Sequence, residues 1–167
     1  MDNAKETLSG QLNGAAVRQL AKEMPTSMLL EFLFEEEERI ARNAAWILTH
    51  KSVKEIRTLP HDRLADFAMH THNSSLRRLS LNLIEQQKRV GGEIRTDFLD
   101  FCLQHMVMPD EPPGVQSLCI KLAYRMCLRY PELLHEFEET LKLMPSEHYK
   151  TCVKHLRKQL LDNIQPF

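Results

Sequence analysis

The side chains that could bind a metal ion or transfer protons include one close histidine pair. His70 and His72 stand two positions apart. Side chains at this spacing diverge on a helix, whereas ligands of one metal ion must converge. The pair therefore predicts no metal centre.

Four consecutive glutamates, Glu35 to Glu38, form the densest acidic cluster. Glu35 precedes Arg39 by four residues and Glu38 precedes Arg42 by four. This order of charges stabilises a helix by about 0.3 kcal/mol per pair. The cluster thus predicts the beginning of a helix rather than an acid–base or metal site.

The chain also lacks the short motifs of nucleophilic and phosphate-binding enzymes. It has no serine nucleophile elbow, no phosphate-binding glycine loop and no H-E-x-x-H segment. Its four cysteines show no C-x2-C spacing and fall on apolar helix positions, which predicts free, buried thiols. They are Cys102, Cys119, Cys127 and Cys152. We therefore predict a protein that is not an enzyme, without catalytic residues, metal or cofactor.

The rest of the sequence favours a protein that binds another molecule. Its recurring segments predict helical repeats that would carry the binding residues. Four short acidic-aromatic segments recur, and their phenylalanines are 35, 34 and 36 residues apart. These residues are Phe32, Phe67, Phe101 and Phe137. An apolar residue precedes each of them by three positions, which is the spacing of one helix face. A fixed period of this length is typical of stacked supersecondary units.

A second apolar helix is predicted behind each of these segments, giving four helical hairpins. A turn-rich insertion, Met108–Gly114, lengthens the third hairpin. A helix around Ala15–Met24 is predicted to cap the N-terminal end, for about nine helices in all. The predicted fold class is all-α, an α-α superhelix (solenoid). We expect residues 1–24 to form an N-terminal tail and capping helix, and residues 25–167 to form the repeat domain.

These paired helices resemble HEAT-like (armadillo-type) repeats. The second helix of the first two pairs carries an arginine near its start, Arg42 before Ala44-Ala45 and Arg77 before Leu79, and Gln116 takes this position in the third. The likeness covers residues 25 to about 165. It implies a scaffold that binds partners along a concave surface formed by the second helices.

On that surface, the positions left outside the core stripe form a ladder of candidate contacts. The predicted partner-binding residues are Trp46, His50, Arg78, Asn82, Lys121, Tyr124 and Arg125, and Asn43, Ile47 and Glu85 share the same faces. Tryptophan, tyrosine and arginine are enriched at binding hot spots. Two hypotheses remain open for Trp46: it is a surface contact for a partner, or it is a core residue between the first two repeats. We predict a non-enzymatic interaction module that binds an acidic or mixed-charge protein or peptide.

The charge distribution bears on two alternative functions. The net charge of −1 disfavours a general nucleic-acid or membrane-surface binder, although residues 51–90 carry +4 and residues 142–167 carry +3. The first alternative is a HEAT-like nucleic-acid-binding protein related to alkylpurine DNA glycosylases, which clasp DNA in a basic concave face. The second is a homo-oligomer built through exposed end repeats, because apolar residues continue to Ile164.

Targeting signals are not recognisable in the sequence. No apolar stretch of signal-peptide length follows Met1–Lys5, and the longest apolar run, Ala44–Leu48, is too short to span a bilayer. We expect a cytoplasmic protein.

Overall fold

The computed structural model describes residues 1–89 and 91–164, and every regular element in these two stretches is a helix. The α-helices are α1 Asp2–Ser9, α2 Gly14–Glu23, α3 Thr26–Leu33, α4 Glu38–Leu48, α5 Val53–Ile56, α6 His61–His70, α7 Ser74–Gln86, α8 Thr96–Met106, α9 Pro113–Cys127, α10 Pro131–Leu143 and α11 Thr151–Asn163. A short 3-10 helix spans Ser146–His148.

The chain divides into two compact units, Met1–Lys88 and Arg89–Phe167. The first unit contains α1 to α7, and the second contains α8 to α11. The division expected from the sequence, residues 1–24 and 25–167, stays a prediction.

Each unit contains two antiparallel helix pairs. In the first unit α3 packs on α4 and α6 packs on α7, and in the second α8 packs on α9 and α10 on α11. A recurring phenylalanine lies on the first helix of every pair. The predicted all-α class and its four helical hairpins are confirmed.

A polar side chain from the second helix of a pair bonds the end of the first helix in two hairpins and the segment just after the first helix in a third. Arg77 donates from Nε to the carbonyl oxygen of Ala68 at 3.0 Å. Gln116 donates to the carbonyl oxygen of Met108 at 2.5 Å, and Arg157 donates to that of Leu141 at 2.5 Å. Ala68 and Leu141 lie in the last turn of their helices, where carbonyl groups lack the usual intrahelical partner, whereas Met108 lies two residues beyond the end of α8.

The recurring phenylalanines are not equally buried. Phe32 and Phe137 are 2% and 0% exposed, whereas Phe67 and Phe101 are only half-buried. In the third hairpin the buried aromatic side chain is Phe98, three positions earlier. The expectation of one equivalent core position in every repeat is therefore wrong for Phe67 and Phe101. Their rings lie at the edge of the core, Phe101 stacked on the His105 ring with 3.9 Å between centroids.

Within residues 1–89 and 91–164 there are two more α-helices than the nine expected from the sequence, α1 and α5. Helix α1 buries a single side chain, Leu8, so its apolar pattern gives almost no periodic signal. Helix α5 has only four residues and is stabilised by a capping box between Ser52 and Glu55. Neither helix could be recognised by a pattern that needs several turns.

The glutamate cluster does begin a helix, since α4 starts at Glu38, but its partners differ from those predicted. Glu35 pairs with Lys5 at 3.2 Å rather than with Arg39. Glu38 accepts a hydrogen bond from Asn73 at 2.9 Å rather than pairing with Arg42. The two carboxylates bind side chains from α1 and from the N-cap of α7, because tertiary packing brings these side chains within hydrogen-bond distance.

Candidate functional site

Helices α4 and α7 of the first unit form the wall on which four of the predicted residues lie. Asn73, at the start of α7, donates to Glu38, at the start of α4. Gln86, at the end of α7, donates to the carbonyl oxygen of Thr49, the C-cap of α4, at 3.3 Å. The two helices therefore run parallel, and residues about 36 positions apart lie side by side.

The structure brings Trp46, His50, Arg78 and Asn82 onto these two neighbouring helices. Trp46 and His50 are four residues apart near the end of α4, and Arg78 and Asn82 are four residues apart on α7. Arg78 and His50 are exposed, and Trp46 and Asn82 are half-buried. Trp46 is thus neither a fully buried core residue nor a fully exposed one.

Hydrogen bonds fix the orientation of the polar groups beside Trp46. Its carbonyl oxygen accepts from Thr49 Oγ1 at 2.6 Å and lies 3.1 Å from His50 Nδ1. His50 Nδ1 also lies 3.2 Å from Thr49 Oγ1, so this nitrogen is engaged within the protein and Nε2 is left for another partner. Gln86 also donates to Asn82 Oδ1 at 2.5 Å. We call Arg42, Trp46, His50, Arg78 and Asn82 the α4–α7 surface.

Two residues that the sequence placed on the same inner face lie elsewhere. Asn43 is 2% exposed and Ile47 is 0% exposed. Helix α4 contacts α1, α2, α3 and α7, so its buried stripe is wider than that of a helix with a single neighbour. The prediction that Asn43 and Ile47 line a binding surface is wrong.

The other three predicted residues lie on α9 in the second unit. Lys121 is exposed, and Tyr124 and Arg125 are half-buried. The Tyr124 ring packs on Phe137, with 5.8 Å between the ring centroids. Tyr124 therefore contributes to the packing of α9 on α10, and Lys121 is the most accessible of the three.

A groove that sequence reasoning missed lies between α2 and the connection from α4 to α5, within the first unit. Its volume is about 680 Å³. The lining residues are Ala15, Arg18, Gln19, Ala21, Lys22, His50, Lys51, Ser52 and Glu55. Four of them, at positions 15, 18, 19 and 22, have the i, i+3, i+4, i+7 spacing of one helix face, which is the signal that could have indicated it. We call this cavity the α2–α5 groove.

With this geometry in hand, a comparison with known families is decisive for the fold. The family model for the HEAT repeat domain matches residues 4–164. The chain belongs to the HEAT repeat domain family. No curated protein and no solved structure matches it significantly. The family match extends the resemblance seen in residues 25–165 to include α1 and α2, and it lends no support to the alternative of a relative of the alkylpurine DNA glycosylases.

His70 and His105 of this HEAT repeat domain each lie within hydrogen-bond distance of an oxygen atom of the protein. No group of three or more His, Cys, Asp and Glu side chains in 1–89 and 91–164 is placed to hold a metal ion. His70 Nδ1 lies 2.7 Å from the carbonyl oxygen of Asp66, one turn earlier on the same helix. His105 Nδ1 lies 2.7 Å from a carboxylate oxygen of Glu111, and this pair joins α8 to the insertion that follows it.

The thiols of the HEAT repeat domain are free, and three of the four are buried. Cys102, Cys119 and Cys127 are buried as predicted, whereas Cys152 is exposed on α11, contrary to the prediction. Burial raises the pKa of Cys102 well above its usual value and raises the pKa of Cys127 to about 11. Both thiols are therefore protonated near neutral pH and are poor nucleophiles.

The carboxylate of the groove is the most strongly perturbed acid of the HEAT repeat domain. Hydrogen bonds from Ser52 Oγ at 2.7 Å and from Thr26 Oγ1 at 2.8 Å lower the pKa of Glu55 to about 2. Lys51 Nζ, at 3.3 Å, adds to this effect. Glu55 is therefore ionised at neutral pH, and its charge is shared among groups that belong to three elements.

The described helices do not have the features of membrane spans. Within residues 1–89 and 91–164, none combines the length and the apolar character that crossing a bilayer requires.

Proposed function

We propose that this HEAT repeat domain is a non-enzymatic interaction module that binds an acidic or mixed-charge segment of a partner protein on the α4–α7 surface. HEAT repeat domains are helical scaffolds for protein interaction, and the family match makes this the natural class of function. The single observation that carries the proposal is the half-buried Trp46 on α4, a helix that packs on α7, with exposed Arg42 on α4 and exposed Arg78 on α7. A half-buried aromatic ring has few free rotations to lose, so it offers a large apolar contact at small entropic cost.

The charge of the surface supports the choice of partner. Arg42 and Arg78 are exposed at corresponding positions of α4 and α7. Glu38, four residues before Arg42, already accepts a hydrogen bond from Asn73. A carboxylate-bearing segment would meet arginine forks that favour bidentate hydrogen bonds.

In the second unit, Lys121, Tyr124 and Arg125 stay candidate contacts of their own. Exposed Lys121 offers a charge, while Tyr124 is held by Phe137. We propose to test this set separately, with the variant Lys121→Ala.

A selection of random peptides displayed on phage, followed by titration of the best peptide, tests the main proposal. Trp46 is the only tryptophan of the chain, so its fluorescence reports occupation of the surface in the wild-type and Arg78→Ala proteins, and isothermal calorimetry measures the affinity of every variant, including those without Trp46. We expect Arg78→Ala and Trp46→Ala each to weaken binding by about tenfold or more, since truncated hot-spot residues cost about 2 kcal/mol.

The matched control is Lys158→Ala, which removes an exposed cation from α11 in the other unit. It should leave the affinity unchanged. Equal affinities of the wild-type protein and of a Trp46→Ala, Arg78→Ala double variant with an unchanged helical circular dichroism spectrum would remove this site. Predicted self-association through exposed end repeats is tested separately by the solution mass.

A further inference from the structure

The α2–α5 groove has an arrangement of charge that the proposed function does not use. One wall is a single face of α2 and carries Arg18 and Lys22, which are both exposed and stand four residues apart. No ion pair or hydrogen bond of either side chain is formed within residues 1–89 and 91–164. Two cations on one wall of a cavity are therefore available to an incoming group.

The opposite wall is rigid and internally neutral. Lys51 Nζ donates to the carbonyl oxygen of Met24 at 2.7 Å and pairs with Glu55 at 3.3 Å. Glu55 also binds the Ser52 hydroxyl at 2.7 Å. The one carboxylate of the lining is thus neutralised by its own wall, and it leaves the two charges of α2 uncompensated.

We propose that the α2–α5 groove binds a phosphorylated side chain of the partner protein, an inference that rests on the proposed function. A phosphoryl group carries about −1.5 to −2 charges at neutral pH, which matches the surplus of two cations better than a single carboxylate does. Arginine offers a planar fork and lysine a mobile point charge, and both are common in phosphate recognition. A volume of about 680 Å³ also exceeds the size of one phosphate and admits the side chain that bears it.

Continuity with the α4–α7 surface identifies a peptide as the source of the phosphate. His50 lines the groove and also belongs to that surface, four residues from Trp46. A segment lying across Trp46 therefore reaches the groove within a few residues. Because His50 Nδ1 is directed to the Trp46 carbonyl oxygen, the other ring nitrogen is left for the segment.

The test uses two probes at fixed ionic strength, with the full chain labelled for amide NMR. The first is inorganic phosphate, which should shift the amides of Arg18, Lys22 and Ser52 in a saturable way. The second is the peptide selected on the α4–α7 surface, synthesised with phosphoserine at each position in turn. We expect one position to gain about tenfold or more in affinity.

The decisive variant is Arg18→Ala with Lys22→Ala, two exposed substitutions that leave the buried part of α2 intact. It should abolish the gain from phosphorylation and keep the affinity for the unmodified peptide. Lys54→Ala removes an exposed cation of α5 that does not line the groove, so it should keep the gain. Failure of the unmodified peptide to depend on Trp46 counts against the proposed function, and the phosphate titration still tests the groove.

Three results would overturn the inference. One is that phosphoserine improves binding at no position. Another is that its gain survives in the Arg18→Ala, Lys22→Ala variant. The third is that inorganic phosphate binds as tightly as the best phosphopeptide, which would mean that the groove takes free phosphate rather than a modified side chain.

Discussion

Lys51 Nζ lies 2.7 Å from the carbonyl oxygen of Met24, the C-cap residue of α2. The lysine side chain is only 6% exposed, although it belongs to the turn that follows α4. It places a cation at the negative end of the α2 dipole and at the same time pairs with Glu55 of α5. This one side chain therefore ties α2 to the α4–α5 connection and sets the width of the α2–α5 groove.

Replacing Lys51 by methionine removes this tie while keeping an unbranched side chain of similar length. We expect the free energy of unfolding to fall by about 1.5–3 kcal/mol, the usual contribution of hydrogen bonds to charged groups. Urea unfolding followed by circular dichroism gives the value. Lys54→Met, at an exposed position of α5, should change it by less than about 0.5 kcal/mol. A loss no larger than that of the control would show that the Met24 contact does not stabilise the fold.

Stability is expected to depend on pH through Glu55. Its pKa falls from 4.5 to about 2 on folding because Ser52 and Thr26 donate hydrogen bonds to the carboxylate. A lowered pKa means that the unfolded chain binds the proton more tightly, so this stabilisation is complete above about pH 5 and is lost as the pH falls toward 2. The urea midpoint of Glu55→Gln should vary less with pH across this window than that of the wild-type protein. Glu36→Gln, at an exposed position, should follow the wild-type curve.

Asn43 is expected to hold α1 in place. Its side-chain amide donates to the carbonyl oxygens of Leu8 at 2.7 Å and Gly10 at 3.0 Å, at the end of α1. Asn43→Ala leaves these acceptors without their donor, which costs about 1–3 kcal/mol. Hydrogen exchange should show the largest loss of protection in residues 2–9. Exchange in these residues at the wild-type rate would mean that the burial of Leu8 alone is sufficient to hold α1.

Ser80, unlike Asn43, has a buried polar group that makes no hydrogen bond to the residues described. It is 0% exposed, and its Oγ has no hydrogen-bond partner among the residues described. Because an unsatisfied buried hydroxyl is unfavourable and alanine is the better helix former, Ser80→Ala should raise the free energy of unfolding by about 1 kcal/mol. A matched Ser74→Ala, at an exposed position of α7, tests whether helix propensity alone accounts for the gain. A destabilised Ser80→Ala would imply that the hydroxyl has a partner in solution.

The recurring phenylalanines should differ in how much they contribute to the free energy of unfolding. Phe32→Ala opens a cavity in the core and is expected to cost about 3–5 kcal/mol. Phe67→Ala removes a half-buried ring whose centroid lies 5.3 Å from that of Phe34, and about 1–2 kcal/mol is expected. Unfolding free energies of the two variants, measured side by side, give the comparison. Equal losses would contradict the unequal burial and would favour a strictly repeated core.

Much of the fold could be predicted because the relevant signals are local. The period of the recurring phenylalanines and the apolar spacing around them located both helices of every hairpin. The cluster Glu35 to Glu38 was predicted to begin a helix on its charge order, and α4 begins at its last residue, Glu38. The ion pairs of that cluster were predicted wrongly, since Lys5 and Asn73 reach the carboxylates from distant parts of the chain. A pairing rule within one helix cannot include such competitors.

In the candidate site, too, the pattern within one helix could not show which of its faces other helices cover. Trp46, His50, Arg78 and Asn82 were predicted as contacts because they fall outside the apolar stripes of their own helices, and their role stays a prediction. Asn43 and Ile47 also fall outside the stripe, yet they are buried, because α4 is covered from several sides. The apolar periodicity of one helix does not predict how many other helices pack on it.

By itself the sequence determined that the chain forms four helix pairs and which stripe of each helix is apolar, because a turn of 3.6 residues imposes that spacing on any helix with a dry side. Only the tertiary structure decided that the Met24 carbonyl meets Lys51, and hence that a basic groove opens between α2 and α5. That contact joins residues 27 positions apart. Its existence depends on how whole helices pack, which involves the shapes and charges of many side chains at once.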